Sequence, residues 1–408
     1  MKGKRLLLRH SQTKGHKKIS RLLFLGPILL AVAVLIAFLW TILLSTRLSK
    51  CLNPEELNNL MPELRLEWTN LPPLSTLAKK MQIHQHNCSL PLGDFSYRNK
   101  YGLGSDLHIW GQGLCNAMER GVRLRTAFPW IFFDQHLCDE KFHLSPMKCY
   151  FPSSELNCKA DLGLVQQHRR HTDSEIFQAI SQPNGRIGYN CTSLMGSDLA
   201  TNETARSYLR RASIEWLFSS LSPLVIQEAR RQARHAFATY FKKNGYQASA
   251  MIPSNLITVH IRWGDKGREM KLVNAKSYVD AVYQILTMRG QTDDVHIFLA
   301  TEDPAAVKAF QEEAPRDWNI YLDQYFVEML PHRIDAYNGS PKTSKKLQGH
   351  TGLVALASLL VAMEGNDFVL TTASNWSRLL DELRTSVLDP RCNGCTSMID
   401  LRKSVNEW

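Results

Sequence analysis

From residue 256 onward, short apolar runs alternate with longer segments whose apolar positions recur every three or four residues. The run 256–261 (Leu-Ile-Thr-Val-His-Ile) is β-branched and nearly uncharged, the pattern of a buried strand. Further strands are expected at 295–300, 319–322 and 368–372, and helices over 274–288, from Pro304 to 313, over 351–363 and over 376–384. Pro304 suits a first helical position. Strands alternating with helices of this length imply a parallel sheet with helices on both faces. The loops leaving the strands then share one edge, which brings Arg262, Asp265 and Lys266 together with Glu302 and Asp303 and with Ser374 and Asn375.

The first half carries the same vocabulary less regularly. Residues 207–244 are helical in period, broken by Pro223. A glycine-containing turn at 101–104 leads into a helix running to about Arg120, with Ser105 or Asp106 as its cap. The aromatic-rich stretch 126–133 reads as a strand, followed by Asp134. Segment 22–46 differs from everything else: it holds 25 residues without a charge, bordered by Arg21 and Arg47. That exceeds the roughly 20 residues needed to span hydrocarbon and is too long for a cleaved signal peptide. A single transmembrane anchor is expected, its basic front keeping the N-terminus cytoplasmic.

The order of parts follows. We expect a cytoplasmic tail (1–21), the anchor (22–46), a proline-containing stem (47–86), an α/β domain with disulfides (87–250), a Rossmann-like domain (251–390) and a tail with a Cys-x-x-Cys (391–408).

Charge modifies this picture little. The net charge is +11, but eight positive side chains and no acid lie before residue 22, leaving +3 for the rest. A nucleic-acid partner loses its support. All nine cysteines lie beyond the anchor, as an oxidising compartment would explain. Cys51 stands apart beside the membrane. The other eight allow 105 pairings, so no connectivity is assigned. The spacing of Cys138, Cys149 and Cys158 does not match a zinc site, and Cys392-Asn393-Gly394-Cys395 lacks the strand-then-helix setting of a redox pair. Five Asn-x-Ser/Thr sequons begin at Asn87, Asn190, Asn202, Asn338 and Asn375. No Asp-x-Asp pair occurs.

Three motifs in order, Val-His-Ile-Arg-x-x-Asp-Lys (259–266), Phe-Leu-Ala-Thr-Glu-Asp-Pro (298–304) and Thr-Thr-Ala-Ser (371–374), resemble the GDP-fucose-binding half of the α-1,6-fucosyltransferases. That group extends to bacterial chitin-oligosaccharide fucosyltransferases and protein O-fucosyltransferases. The matching stretch is about 255–384. The resemblance implies a GT-B-like fold, two Rossmann-like domains facing a cleft, and inverting transfer of fucose without a metal or other cofactor. It implies a type II Golgi membrane enzyme with a lumenal catalytic part, GDP-fucose as donor, and a glycan or glycoprotein acceptor, with the N-glycan core the leading acceptor.

On this reading Arg262 holds the β-phosphate, since a guanidinium fork matches phosphate oxygens. Asp265 and Lys266 shape the pyrophosphate pocket, Glu302 and Asp303 meet guanine or ribose, and Ser374 and Asn375 offer a helix N-terminus to phosphate. Tyr278 aligns with a donor-contacting tyrosine. Glu269 is the general-base candidate. His260, inside the strand, is either part of the donor site or a satisfied core histidine. His332 and Arg333 are loop residues that could reach donor or acceptor. The chain departs from the family where a second strand-end arginine is Trp263 and where a helix position near 355–357 is aliphatic rather than acidic. Protein O-fucosylation, another sugar on the same fold, and a membrane-anchored glycan-binding or scaffold protein without turnover remain as alternatives. Oligomeric state is open.

Overall fold

The computed structural model describes residues 64–402 apart from 97–100, 128–129, 139–144, 156–157, 159–177, 180–201, 245–251, 269–270, 292, 324–327 and 330–338. All of these residues belong to one compact unit, Met61–Trp408. The anchor 22–46 and Cys51 lie outside them. Among the described residues no helix is long and apolar enough to cross a membrane.

In chain order the elements are α1 (Thr76–Gln85), β1 (Leu92–Ser96), α2 (Leu103–Glu119), β2 (Arg123–Ala127), β3 (Gln178–Ala179), α3 (Asn202–Phe218), α4 (Pro223–Ala236) and α5 (Ala238–Lys243). There follow β4 (Ile257–His260), α6 (Ala275–Arg289), β5 (His296–Ala300), α7 (Pro304–Glu313), β6 (Asn319–Leu322), α8 (Gly339–Lys346), α9 (His350–Ala362), β7 (Asp367–Leu370), α10 (Asn375–Leu383), α11 (Asp389–Cys392) and β8 (Ser397–Asp400).

Two parallel sheets result, one ordered β2-β1-β3 and one ordered β6-β5-β4-β7-β8. The second order means that the chain winds outward from β4 through β5 to β6, then returns to β7 on the other side of β4. The winding direction therefore reverses between β4 and β7, which creates a crevice at their carboxyl ends.

The strands alternate as a pleat requires. Ile257, Val259, Ile261, Ile297, Leu299 and Val369 pack with α6 and α7 on one face. Phe298, Ala300, Phe368 and Leu370 pack with α4, α9 and α10 on the other. This second cluster continues into the first sheet's layer through Trp110, Trp216, Phe133 and Leu209. Local signals set the helix starts: Asn274 caps α6 by accepting from the Ser277 amide at 2.9 Å, and Ser222 caps α4 ahead of Pro223.

Four expectations change. Residues 64–85, assigned to a stem, are packed into the fold. Leu64, Leu66, Trp68, Ala78 and Met81 are buried, and the Arg65 amide donates to the buried Glu364 carboxylate at 2.7 Å. The prolines interrupt periodicity there without preventing burial. The strand expected at 126–133 lies earlier, at 123–127. Trp130, Phe132 and Phe133 instead form a buried turn against the start of α9, where a Cβ on Gly352 would come 2.1 Å from the Phe132 carbonyl oxygen. Gly102, rather than Ser105 or Asp106, caps α2. Residues 397–400, taken as tail, form the edge strand β8 beside β7.

Cys88 pairs with Cys158 and Cys138 with Cys149, and Cys115 and Cys395 are also disulfide-bonded.

Candidate functional site

The crevice between β4 and β7 gathers the sequence motifs from both sides. After β4 the backbone amide of Ile261 still pairs with the Ala300 carbonyl at 3.0 Å, so Arg262 is the first residue to leave the sheet. Gly264, at φ +70, then turns the chain into a short 3-10 segment, Gly264–Arg268. A left-handed φ there favours glycine over any residue with a Cβ.

The guanidinium of Arg262 forms an ion pair with the carboxylate of Glu302, just past β5. Both side chains keep partial access to solvent. Trp263 turns away, its ring packed on the α6/α7 side of the core and its Nε1 donating to the Val273 carbonyl at 2.8 Å. Trp263 thus serves the loop's packing. Lys266 lies half-buried in the 3-10 turn, and Asp265 lies in the same turn.

Beneath Arg262 a buried polar chain links β4 to β7. The Tyr278 hydroxyl on α6 is 2.8 Å from Thr371 Oγ1 and also receives the Arg262 amide. Burial pushes this phenol up to about 12, so it stays protonated. His260 Nδ1 is 2.6 Å from Ser377 Oγ, which in turn accepts from the Thr371 amide at 3.2 Å. Burial first, and the Arg262 charge second, bring His260 down to about 3, so it is a neutral, satisfied histidine of the interior. Tyr278 is likewise inside the wall of the crevice.

Past β7, Ser374 is the N-cap of α10 but its hydroxyl accepts no first-turn amide. The first-turn N–H groups of α10 are therefore not capped by that side chain, the arrangement that suits an anion. Thr372 is tied to Asp400 at the end of β8, its amide donating at 3.0 Å and its hydroxyl donating as well.

Asn375 points toward the first half of the chain. Its Nδ2 donates to Ser105 Oγ at 2.5 Å, and its Oδ1 is 3.1 Å from His108 Nδ1 and accepts from Arg378. His108 Nε2 lies 2.9 Å from Glu382 Oε2, and Arg210 pairs with the same carboxylate. Burial alone would raise Glu382; the charges of His108 and Arg210 overcome it and hold the group at about 2. The clasp fixes α10 against α2 and α3.

Asp303, expected at guanine or ribose, stands at the start of α7. It caps α7, accepting from the Ala305 amide at 2.8 Å, a use that Pro304 at the next position favours. Glu302 is engaged by Arg262. Glu269, His332 and Arg333 lie outside the described residues.

Sequence reasoning missed two carboxylates nearby. Asp106 is buried in the first turn of α2, where it accepts from Trp130 Nε1 at 3.0 Å; burial raises it to about 8. Asp134, 1% exposed, accepts from His350 Nδ1 at 2.9 Å, while the His350 side chain is 41% exposed. Burial opposes ionisation of Asp134, but His350 and the amides of His136 and Leu137 hold it below the ordinary carboxylate range. The same hydrogen bond raises His350. An Asp-Gln pair after an aromatic run was the only sequence trace of this dyad. Among the described residues no cluster of three His, Cys, Asp or Glu side chains is placed to hold a metal ion.

No protein-family model matches the chain, and no curated protein does. Solved structures do match, among them one titled as the crystal structure of the apo form of POFUT1, at 10% sequence identity and a TM-score of 0.37. The match covers 76% of this chain and 98% of that one.

Proposed function

We propose that this chain is a GDP-fucose-dependent fucosyltransferase that inverts the anomeric centre, needs no metal, and acts on a glycan, with an α-1,6 linkage on the N-glycan core as the leading product. The observation carrying this reading is the pairing of Arg262 after β4 with the amide-lined start of α10 after β7, on either side of the point where the sheet's winding reverses. Doubly wound sheets bind ligands there. A nucleoside diphosphate leaving a sugar accumulates negative charge on its β-phosphate, and a guanidinium with preoriented amides stabilises charge as it develops. Arg262 exchanges its Glu302 partner for phosphate oxygens, and the α10 amides meet the second phosphate. Glu269, one residue past the 3-10 turn, takes the acceptor hydroxyl's proton. The anchor 22–46 places this site in the Golgi lumen, away from nucleic acid.

One finding favours a second reading, a glycan-binding protein without turnover: Arg262 and Asn375 already have protein partners. The two readings separate when the full-length chain is incubated with GDP-fucose, glycan acceptors and EDTA. GDP release that Arg262→Ala abolishes supports transfer. A requirement for manganese sinks the metal-free mechanism, and acceptor binding with no GDP release establishes the second reading.

A further inference from the structure

Five sequons occur in the sequence, and the sequence cannot rank them. Two have described side chains, and the structure separates them by geometry. At the first, Asn87 lies exposed just beyond the C-cap of α1. Its Oδ1 accepts from both the Ser89 amide at 3.0 Å and the Ser89 hydroxyl at 2.7 Å. This Asx-type turn engages the carbonyl oxygen of the side chain and the sequon hydroxyl together, while Nδ2 takes no part in it. The turn is local, spanning two residues, so it can form before the rest of the domain exists. Cys88 inside the sequon pairs with Cys158, 70 residues downstream, so a nascent chain presents Asn87 before that disulfide can close.

At the second sequon the same atoms are committed elsewhere. Asn375 Nδ2 donates to Ser105, and Ser377, its sequon hydroxyl, is fully buried on His260 and the Thr371 amide. A sugar on Nδ2 would have to fit where α10 meets Ser105 of α2.

The location of Asn87 also suits a large polar adduct. It precedes β1, so it lies at the amino end of that strand, whereas α2, which meets Asn375, follows the carboxyl end. The five residues of β1 put about 16 Å between the two edges. One turn earlier on α1, Ile83 is 62% exposed, an apolar side chain that an attached glycan would shield.

We infer that Asn87 is an N-glycosylation site of the mature protein and that Asn375 is not. The inference rests on the reading that residues beyond the anchor are lumenal. In the modification, Asn87 Nδ2 forms a bond to the anomeric carbon of an oligosaccharide carried on a lipid diphosphate. The lipid diphosphate departs with the electrons of the broken C–O bond, and a base of the transferase takes the amide proton. The product covers the α1–β1 corner and leaves the crevice open.

The test is peptide mapping of the full-length chain purified from a eukaryotic secretory pathway, with and without enzymatic removal of N-glycans. The expected result is Asn87 converted to Asp in the treated sample, with the Asn375 peptide recovered unmodified from both. Ser89→Ala should abolish the modification at Asn87, and Ser89→Thr should retain it. An unmodified Asn87 alongside an occupied sequon elsewhere overturns the inference while leaving the lumenal reading intact. No occupied sequon anywhere overturns both. A glycan on Asn375 of folded protein overturns the exclusion drawn from its buried contacts.

Discussion

Glu302 is the residue whose substitution separates two descriptions of the crevice. The family resemblance has it holding guanine or ribose; the structure has it neutralising Arg262, with side chains 18% and 26% exposed for the arginine and the glutamate. A pair with this much solvent access contributes about 0–1 kcal/mol. An incoming diphosphate must displace the carboxylate and loses that amount. Replacing Glu302 by Gln removes the competing charge while keeping the side chain's size. The expected effect is tighter binding by up to about fivefold, taking 1.4 kcal/mol as tenfold. Arg262→Ala should instead lose a charge-assisted hydrogen bond of about 1.5–3 kcal/mol, or roughly 10- to 150-fold.

Calorimetric titration with two ligands isolates the cause. Inorganic pyrophosphate carries only the charge, whereas GDP carries the charge and the nucleoside. If Glu302 acts through Arg262, Glu302→Gln strengthens both ligands equally, and the double variant with Arg262→Ala behaves as the arginine variant alone. Weaker GDP binding with unchanged pyrophosphate binding would refute the pairing argument and return Glu302 to the nucleoside.

Two further substitutions probe the framework of the site. Glu382→Gln strips the buried carboxylate from His108 and Arg210, and breaking a buried pair from one side costs about 3–5 kcal/mol. The folded-state group sits at about 2, below its unfolded value, so its stabilisation is complete above the unfolded carboxylate range and is lost as pH falls toward 2. Denaturant titrations should therefore show the wild-type advantage over Glu382→Gln shrinking between about pH 5 and pH 2. Gly349→Ala places a Cβ 1.8 Å from the Phe133 carbonyl oxygen on a backbone at φ +87. Its loss of stability should exceed the roughly 1–2 kcal/mol of left-handed backbone alone, and an unchanged melting temperature would show that the α9 start is not packed as described.

The sheet around β4 was legible because β4, β5 and β7 are buried along their whole length and its helices carry local caps. Asn274, Pro304 and the β-branched run at 256–261 each declare themselves within a few residues. What escaped has long sequence separation or half-exposed edges. β8 is an edge strand whose four residues are all half-buried, so neither alternation nor composition marks it. Residues 64–66 bury themselves by meeting Glu364, almost 300 positions away in sequence. The same division holds at the site. Arg262 and Ser374 could be placed at strand ends from their flanking residues. The bonds from Tyr278 to Thr371, from His260 to Ser377 and from Asp134 to His350 join residues 93, 117 and 216 positions apart. No local pattern encodes such pairs.

Those pairs change how Trp263 is understood. A second guanidinium at the end of β4 would add charge at the point where the winding reverses. Trp263 instead adds packing on Val273, and the loop it steadies carries Arg262 and Lys266. Positive charge at the crevice then depends on where Arg262 and Lys266 are held, and the Tyr278 hydroxyl holds the Arg262 backbone by receiving its amide. Thr371 shares that hydroxyl and, through Ser377, engages the first turns of α10. Asn375 carries the connection onward to Ser105 and His108 of α2. One polar chain therefore ties the guanidinium side to the start of α10, and a second, from Asn375, ties the start of α10 to α2. A change at His108, in the first half of the chain, should act on the proposed anion site by moving the start of α10 rather than by touching a ligand.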